Sequence, residues 1–491
     1  MKRREFLRNT AVAAGALAIS GQNLQAAQGR PNVLLILVDQ WREPRWFPEK
    51  VNLPGYQRLC KEGLNFTNHF ASAVPCSPSR ACLFTGMHLN QHGVEDNVDP
   101  MTGHPSLDPS IPTLGHRFKE AGYRTPYFGK WHLTTASDCK TKGLSAYGFE
   151  DWHGPDHDGL PYDGLEHDGL FAEQSIHWLR QHGKKGPFFL TCSMINPHDI
   201  VYYRRFDVPD AFIPDVFYKL GANFDDDLKN KPRIQTIYRE GYGKLMKTTP
   251  DQPKRVWLHY LDFYYWLQQR VDRHIKRLLA TLDHLGIADN TIVVFTADHG
   301  EMCGSHKLQS KGPFVYQENN NVPLVMRWPG KIQAGVQSNA LSQNPDVFPT
   351  LLALAGIAAP VDHLPGKSLT PVISQPSQND AHDHILMGFG MTVNGGGTFG
   401  NLAKRLGINN TEGVPMQIRG IYDGRYKYAR YFDKGCQEEY EMYDLQNDPL
   451  ELNNLAADAG YSSLKKELAN KLMEAEQKEM ATIPKEMLRK I

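Results

Sequence analysis

Net charge is the first thing missing from this sequence: its 54 lysines and arginines are matched by 54 aspartates and glutamates. No basic field is available to hold a phosphate backbone, so nucleic-acid binding by bulk electrostatics is excluded. Cysteine is scarce as well. Seven in a chain of 491 residues are too few for a disulfide scaffold, and their number is odd. Setting Cys76 aside leaves Cys60, Cys82, Cys139, Cys192, Cys303 and Cys436, none of them in a CxxC pair, and no pairing among them is specified. Long apolar runs are absent too, which excludes a membrane-spanning helix. What is present is an ordinary hydrophobic content of 41%, enough for a large core and unlike the composition of long disordered tails. Length alone suggests about three domains, a soft prior that large α/β enzymes often break.

The first thirty residues stand apart from the fold. Arg3-Arg4-Glu5-Phe6-Leu7 precedes a mild apolar stretch, Ala11 to Ile19, and then small and polar residues to Ala27. A twin arginine ahead of a weakly hydrophobic run reads as a twin-arginine export signal over residues 1–27, cleaved near Ala26 or Ala27. The mature protein is then expected in the periplasm or outside the cell, with the twin-arginine machinery as a partner.

Four apolar runs read as strands buried on both faces of a parallel sheet. Asn32 to Val38 ends in Asp39, and Thr291 to Thr296 leads to Ala297-Asp298-His299-Gly300. Pro187 to Met194 leads to Asn196-Pro197-His198, and Thr125 to Phe128 to Gly129-Lys130-Trp131-His132. In open α/β sheets ligands bind beyond the carboxyl ends of the strands, so four chemically capable strand ends point to one shared site. Ile111 to Ala121 has helical spacing and stops at Gly122, and Val256 to Leu285 is a long amphipathic helix closed by Gly286. Residues 371–383 are rich in Pro, Ser, Gln and Asp and read as a linker. Ile418 to Tyr431 and Glu439 to Tyr443 read as short strands around an Asp423-Gly424 turn, followed by a terminal helix over Leu464 to Met480. The expected fold is therefore α/β: a large, mostly parallel mixed sheet flanked by helices over 30–380. A smaller α+β subdomain over 384–491, an antiparallel sheet plus terminal helix, follows it. The stretch His153 to Gly169 repeats His-Asp-Gly-Leu and reads as a solvated loop, and Gly390 to Gly400 as a Gly-rich loop without assignable chemistry.

The most informative segment is Pro75-Cys76-Ser77-Pro78-Ser79-Arg80, followed by helix-compatible residues to Met87. Ser77 suits an N-cap and Pro78 the first helical turn. Cys76 then lies at a helix N-terminus, where free N–H groups favour an anion, and Arg80 can reach back one turn. On physical grounds alone such a cysteine also fits a low-pKa thiol nucleophile.

Cys-Ser-Pro-Ser-Arg resembles the C-x-P-x-R signature of the type I, formylglycine-dependent sulfatases of the alkaline-phosphatase-like superfamily. The resemblance runs in order through Pro31 to Asp39, Thr85-Gly86 with His92-Gly93-Val94, and Gly129-Lys130-Trp131-His132. It continues through Asp298-His299-Gly300-Glu301, Lys311-Gly312-Pro313 and Val322-Pro323-Leu324 to Glu441-Met442-Tyr443-Asp444-Leu445 with Asp448-Pro449. It implies a sulfuric ester hydrolase whose Cys76 is oxidised to formylglycine (3-oxoalanine) by a maturase. It implies one divalent cation, usually Ca²⁺ with Mg²⁺ or Mn²⁺ as alternatives, on Asp39, Gln40, Asp298 and His299 together with the side chain at 76. Oxygen donors suit a hard cation. Gln40 and His299 depart from the Asp and Asn that many relatives carry there, which lowers the negative charge of the site and adds an imidazole to its oxygen donors.

The same resemblance implies attack on sulfur by the hydrated aldehyde, a covalent sulfated intermediate, and release of sulfate through the second hydroxyl. Arg80 and Lys130 then neutralise anionic oxygens, His132 is the base for elimination, and His198 and Lys311 bind sulfate and serve the leaving oxygen. The expected substrate is a sulfated small molecule or glycan, more in keeping with export than a simple aryl ester. Two other readings remain: a phosphonate monoester or phosphodiester hydrolase on the same scaffold, and a non-catalytic carbohydrate-binding relative. Such an export signal lets cytoplasmic modification and metal loading precede transport of the folded protein.

Overall fold

The computed structural model describes residues 29–48, 50–99, 103–154, 156, 159–204, 215–358, 363–378, 381–390 and 413–483. The proposed export signal lies outside them. In chain order the strands are β1 (Asn32–Asp39), β2 (Leu64–Phe66), β3 (His69–Phe70), β4 (Ala73–Val74), β5 (Tyr127–Gly129), β6 (Phe189–Pro197) and β7 (Thr291–Ala297). They continue with β8 (Leu324–Arg327), β9 (Val336–Ser338), β10 (Ser342–Gln343), β11 (Ile385–Phe389), β12 (Gln417–Tyr422), β13 (Tyr426–Phe432) and β14 (Glu439–Asp444).

Seven of these form a sheet in the order β5-β6-β1-β7-β8-β2-β9. Only β8 runs against the rest, pairing antiparallel with both β7 and β2. β1 is central and every one of its residues is buried. Its side chains alternate between two cores: Val33, Leu35 and Leu37 join one, Leu34, Ile36 and Val38 the other. That division is why the run reads as continuously apolar, since each face needs its own hydrophobic set. On one face pack the helices Cys76–Thr85, Leu114–Glu120 and Val347–Leu354. On the other pack Pro54–Glu62, Asp163–His182 and the long Lys254–Leu285 helix.

A second, five-stranded sheet has the order β14-β13-β12-β11-β4. β11 to β14 are antiparallel neighbours, and the helix Ser462–Glu479 covers them through Leu468, Leu472 and Ala475. β4 comes from far earlier in the chain and pairs parallel with β11, Ala73 opposite Gly388 and Val74 opposite Phe389. The two residues immediately before Pro75-Cys76 are therefore stitched into the C-terminal sheet.

Three expectations need correction. The helix read over 111–121 spans Leu114–Glu120, with Thr113 as its cap, its side chain accepting from the His116 N–H. The stretch 153–169 is not simply a solvated loop: a helix starts at Asp163, and both Asp163 and Asp168 are buried. Burial is stable there because Asp168 accepts the backbone N–H groups of Ile195 and Asn196 at 2.6 and 3.0 Å. The linker segment contains a short helix, Thr370–Ser374, whose Val372 and Ile373 join the main core. All seven cysteines are free thiols.

Buried histidines contribute to the acid sensitivity of this fold. His69 of β3 bonds Ser342 Oγ at 3.0 Å and Asn344 Oδ1 at 2.9 Å, and burial pushes it down from 6.5 to about 4. Burial lowers His92 to about 3. Between these values and 6.5 the unfolded chain binds protons that the folded chain refuses. Their contribution is whole above 6.5 and is lost as pH falls toward 4. For His69 the loss is roughly 3 kcal/mol. His69→Gln is expected to flatten the urea midpoint against pH between pH 7 and 4; an unchanged slope would rule His69 out as a source.

Candidate active site

The carboxyl ends of β1, β5, β6 and β7 meet the N-terminus of the helix Cys76–Thr85. Asp39 is the last residue of β1, Asp298 follows β7, Lys130 follows β5 and His198 follows β6. β1 lies between β6 and β7 although they are distant in sequence, so the chain departs to both sides and leaves a crevice at its end. Cys76 is the first residue of its helix, two positions earlier than a Ser77 cap implies, with Pro75 as N-cap. Ser77 lies inside the first turn, donating from its hydroxyl to His132 O at 2.5 Å and accepting from Val98 N–H at 3.0 Å.

Arg80 organises the carboxylates. Fully buried, it donates from Nε to Asp298 Oδ2 at 2.9 Å and from one terminal nitrogen to Asp39 Oδ2 at 3.3 Å. Its other terminal nitrogen donates to Lys130 O at 2.9 Å and Ser193 Oγ at 3.0 Å. Lys130 Nζ stands 2.7 Å from the same Asp39 Oδ2. Each carboxylate therefore spends its Oδ2 on cations and turns its Oδ1 elsewhere. Those Oδ1 atoms lie 3.5 and 3.7 Å from His299 Nε2, and Cys76 Sγ is 3.1 Å from that nitrogen and 3.7 Å from Asp39 Oδ1.

This is a set that fits a divalent cation. The donor atoms of Asp39, Cys76, Asp298 and His299 lie within 4.8 Å of one another, all buried. His299 Nδ1 bonds Gly300 O at 2.9 Å, which places the ring proton on Nδ1 and leaves the Nε2 lone pair facing the carboxylates. Gln40 is arranged differently from a simple side-chain ligand. Its Nε2 donates to Glu301 Oε2, and its Oε1 accepts from Lys311 Nζ at 2.7 Å. Its backbone N–H donates to Asp298 Oδ1 at 3.0 Å from a left-handed conformation, φ 66°. Glu301 is itself fixed by Tyr260, Cys303 N–H and Ser310 N–H at 2.8, 3.0 and 2.6 Å.

The electrostatics follow from burial and from the three cations. Burial opposes ionisation of Asp39, but Lys130 and then His198, Arg80 and Lys311 outweigh it and hold the carboxyl well below the usual range. Burial lowers His132 well below its ordinary value, assisted by Lys130 and Arg80. It does the same to His198, assisted by Lys311 and Lys130. Burial pushes the Cys76 thiol up to about 12, with Asp39 adding to the effect. A helix N-terminus alone does not make this cysteine the low-pKa nucleophile that its position permits.

All ten residues singled out from sequence thus fall around one crevice or on the loops that line it. Two residues it omitted hold the site together: Ser193, inside β6, and Asp156, whose carboxylate accepts the Trp131 and His132 N–H groups at 2.9 and 2.7 Å.

Residues 31–357, most of the chain, match the family model described as Sulfatase. The chain belongs to the sulfatase family. Membership makes it a sulfuric ester hydrolase of the alkaline-phosphatase-like superfamily. Residues 409–478 match a second model, described as N-sulphoglucosamine sulphohydrolase, C-terminal. Among curated proteins this sulfatase is similar to a Delta 4,5-hexuronate-2-O-sulfatase of Bacteroides thetaiotaomicron, 29% identical over 91% of this chain and 89% of that one. It is also similar to an N-acetylglucosamine-6-O-sulfatase of the same organism, 26% identical over 95% of this chain and 89% of the other. Among solved structures, a phosphonate monoester hydrolase of Agrobacterium radiobacter superposes with a TM-score of 0.73 at 25% identity, covering 92% of this chain and 96% of that one.

Proposed function

We propose that this sulfatase hydrolyses a sulfate ester on a carbohydrate, with formylglycine made from Cys76 as nucleophile and one divalent cation, Ca²⁺ in the first instance. The observation that carries the reading is the meeting of Cys76 with Asp39, Asp298 and His299 beneath three cationic side chains. Similarity to sulfatases named for hexuronate and N-acetylglucosamine sulfates supports the carbohydrate.

Asp39, Asp298 and His299 would hold the cation, with the side chain at 76 beside it; it would supply Lewis-acid stabilisation of anionic oxygen. Formylglycine would supply, as its hydrate, one hydroxyl to attack sulfur and a second through which sulfate is expelled. Arg80 orients both aspartates, and with Lys130 it holds the Asp39 carboxyl low. Lys311, held beside Gln40, and Lys130 present positive charge to a sulfate group. His132, buried and neutral with neither ring nitrogen hydrogen-bonded among the described residues, is placed to take a proton. His198 lies beside Lys311 and Lys130, so an anion bound there raises its proton affinity and suits it to protonate the leaving oxygen. The maturase and, through residues 1–27, the twin-arginine export machinery are the partners this reading requires. Unimpaired export of a reporter fused to residues 1–30 after changing Arg3 and Arg4 to Lys would remove the export half of it.

A phosphonate monoester hydrolase is the second reading, favoured by Gln40 beside the Asp298-His299 pair and by the structural similarity reported above. Turnover of the sulfate ester, phosphodiester and phosphonate monoester of one alcohol decides between them. The proposal expects the highest kcat/KM on the sulfate; a higher value on the phosphonate would replace it.

A further inference from the structure

The acidic, glycine-rich stretch around 156–168 has no part in the chemistry above, yet it is bonded to two loops of the site. Asp156 accepts from the backbone of Trp131 and His132. Asp168, in the helix Asp163–His182, accepts from Ile195 and Asn196 at the end of β6. Asp199 returns the contact, accepting the N–H groups of Gly164 at 3.3 Å and Leu165 at 2.8 Å. Tyr202 Oη donates to Gly159 O at 2.8 Å. Gly159, at φ +85°, lies against the imidazole of His198, where a Cβ would come within 2.6 Å of Cε1 and 2.7 Å of Nδ1.

These bonds converge on the two histidines. His132 sits in the left-handed region, φ 59°, and among the described residues neither its ring nitrogens nor His198 Nδ1 has a hydrogen-bond partner. A ring that exchanges protons with substrate cannot also be tied to the protein at the exchanging nitrogen, so its position must come from its backbone and from what it packs on. Carboxylates gripping consecutive N–H groups supply that rigidity, and a missing Cβ lets Gly159 serve as a flat wall for His198. Catalytic groups must be held within about 0.5 Å of the productive geometry, and misplacement by about 1 Å costs on the order of 10²-fold.

We propose that Asp156, Gly159, Asp168, Asp199 and Tyr202 are positioning residues of one frame that sets His132 and His198 across the site. The proposal rests on the sulfatase reading and on the roles given there to the two histidines.

The test compares two sulfate esters, an alkyl or sugar sulfate with a poor leaving group and an aryl sulfate of an acidic phenol, in purified full-length enzyme. Gly159→Ala should displace His198 and lower kcat on the poor leaving group by about 10²-fold while leaving the activated aryl sulfate within a few-fold. Tyr202→Phe, which removes one hydroxyl and is the milder change should Gly159→Ala not fold, should show the same preference at smaller amplitude. Asp156→Asn should show the opposite preference, lowering kcat more on the activated aryl sulfate, because regeneration of the nucleophile by His132 limits the ester whose alcohol leaves fastest. Equal losses on both esters in Gly159→Ala and Tyr202→Phe, or no loss in either, would overturn the frame. Absence of sulfate turnover by the parent enzyme would instead overturn the reading beneath it.

Discussion

Cys76→Ala is expected to abolish sulfate ester hydrolysis, a loss of at least about 10⁴-fold in kcat, because nothing else in the crevice can take its place as nucleophile. Substrate binding should survive, since Arg80, Lys130, Lys311 and His198 are untouched. Cys76→Ser gives a sharper result. A serine that stays unoxidised offers a single hydroxyl, so attack can occur once, but no second hydroxyl remains to expel sulfate. The expected outcome is release of one equivalent of alcohol and a stable mass increase on the peptide carrying residue 76. Quenched-flow product analysis with intact-protein mass spectrometry checks both variants; steady turnover by Cys76→Ser, or measurable turnover by Cys76→Ala, would contradict the assignment.

Arg80→Ala should be the most damaging change to the fold itself. Arg80 is wholly buried and is shared by Asp39 and Asp298, with further bonds to Lys130 O and Ser193 Oγ. Truncation leaves two buried carboxylates with, among the described residues, Lys130 as the one lysine or arginine still in contact with either. Removing one member of a buried ionic group costs about 3–5 kcal/mol because the partner is left uncompensated. Chemical denaturation of the variant should show that loss, accompanied by loss of activity. Arg80→Lys keeps the charge without the fork and should recover part of the stability but little of the activity, since one ammonium cannot reach both aspartates and the Lys130 carbonyl together. A stability within about 1 kcal/mol of the parent in Arg80→Ala would show that the two carboxylates are not ionised together.

The legible parts of this site were those whose physics leaves a mark on residue type. β1 and β7 are buried on both faces, so they read as unbroken apolar runs, and Asp39 and Asp298 stand out where those runs stop. Lys130 and His198 were visible for the same reason at the ends of β5 and β6. Resemblance then placed Cys76 and Arg80 among them, a long-range meeting that no local pattern encodes. What stayed hidden has equally physical causes. Asp156 acts on backbone N–H groups, which every residue but proline possesses, so its partners cannot be read from side chains. Ser193 lies inside a strand where a small polar residue looks like any other. β4 is two residues long, too short for a period, so its pairing with β11 in the second sheet could not be foreseen. Gln40 was read as a cation ligand from its place after β1, but its amide is committed to Glu301 and Lys311, an orientation only the three-dimensional neighbours decide.

Peptide mass spectrometry across residue 76, on protein purified from its natural host, tests the central claim most directly. Oxidation of Cys76 to formylglycine predicts a peptide lighter by about 18 Da than the encoded cysteine form, or its hydrate at nearly the unmodified mass but without a thiol that iodoacetamide can alkylate. A peptide that carries the full cysteine mass and is alkylated quantitatively would contradict the formylglycine account and require a different nucleophile.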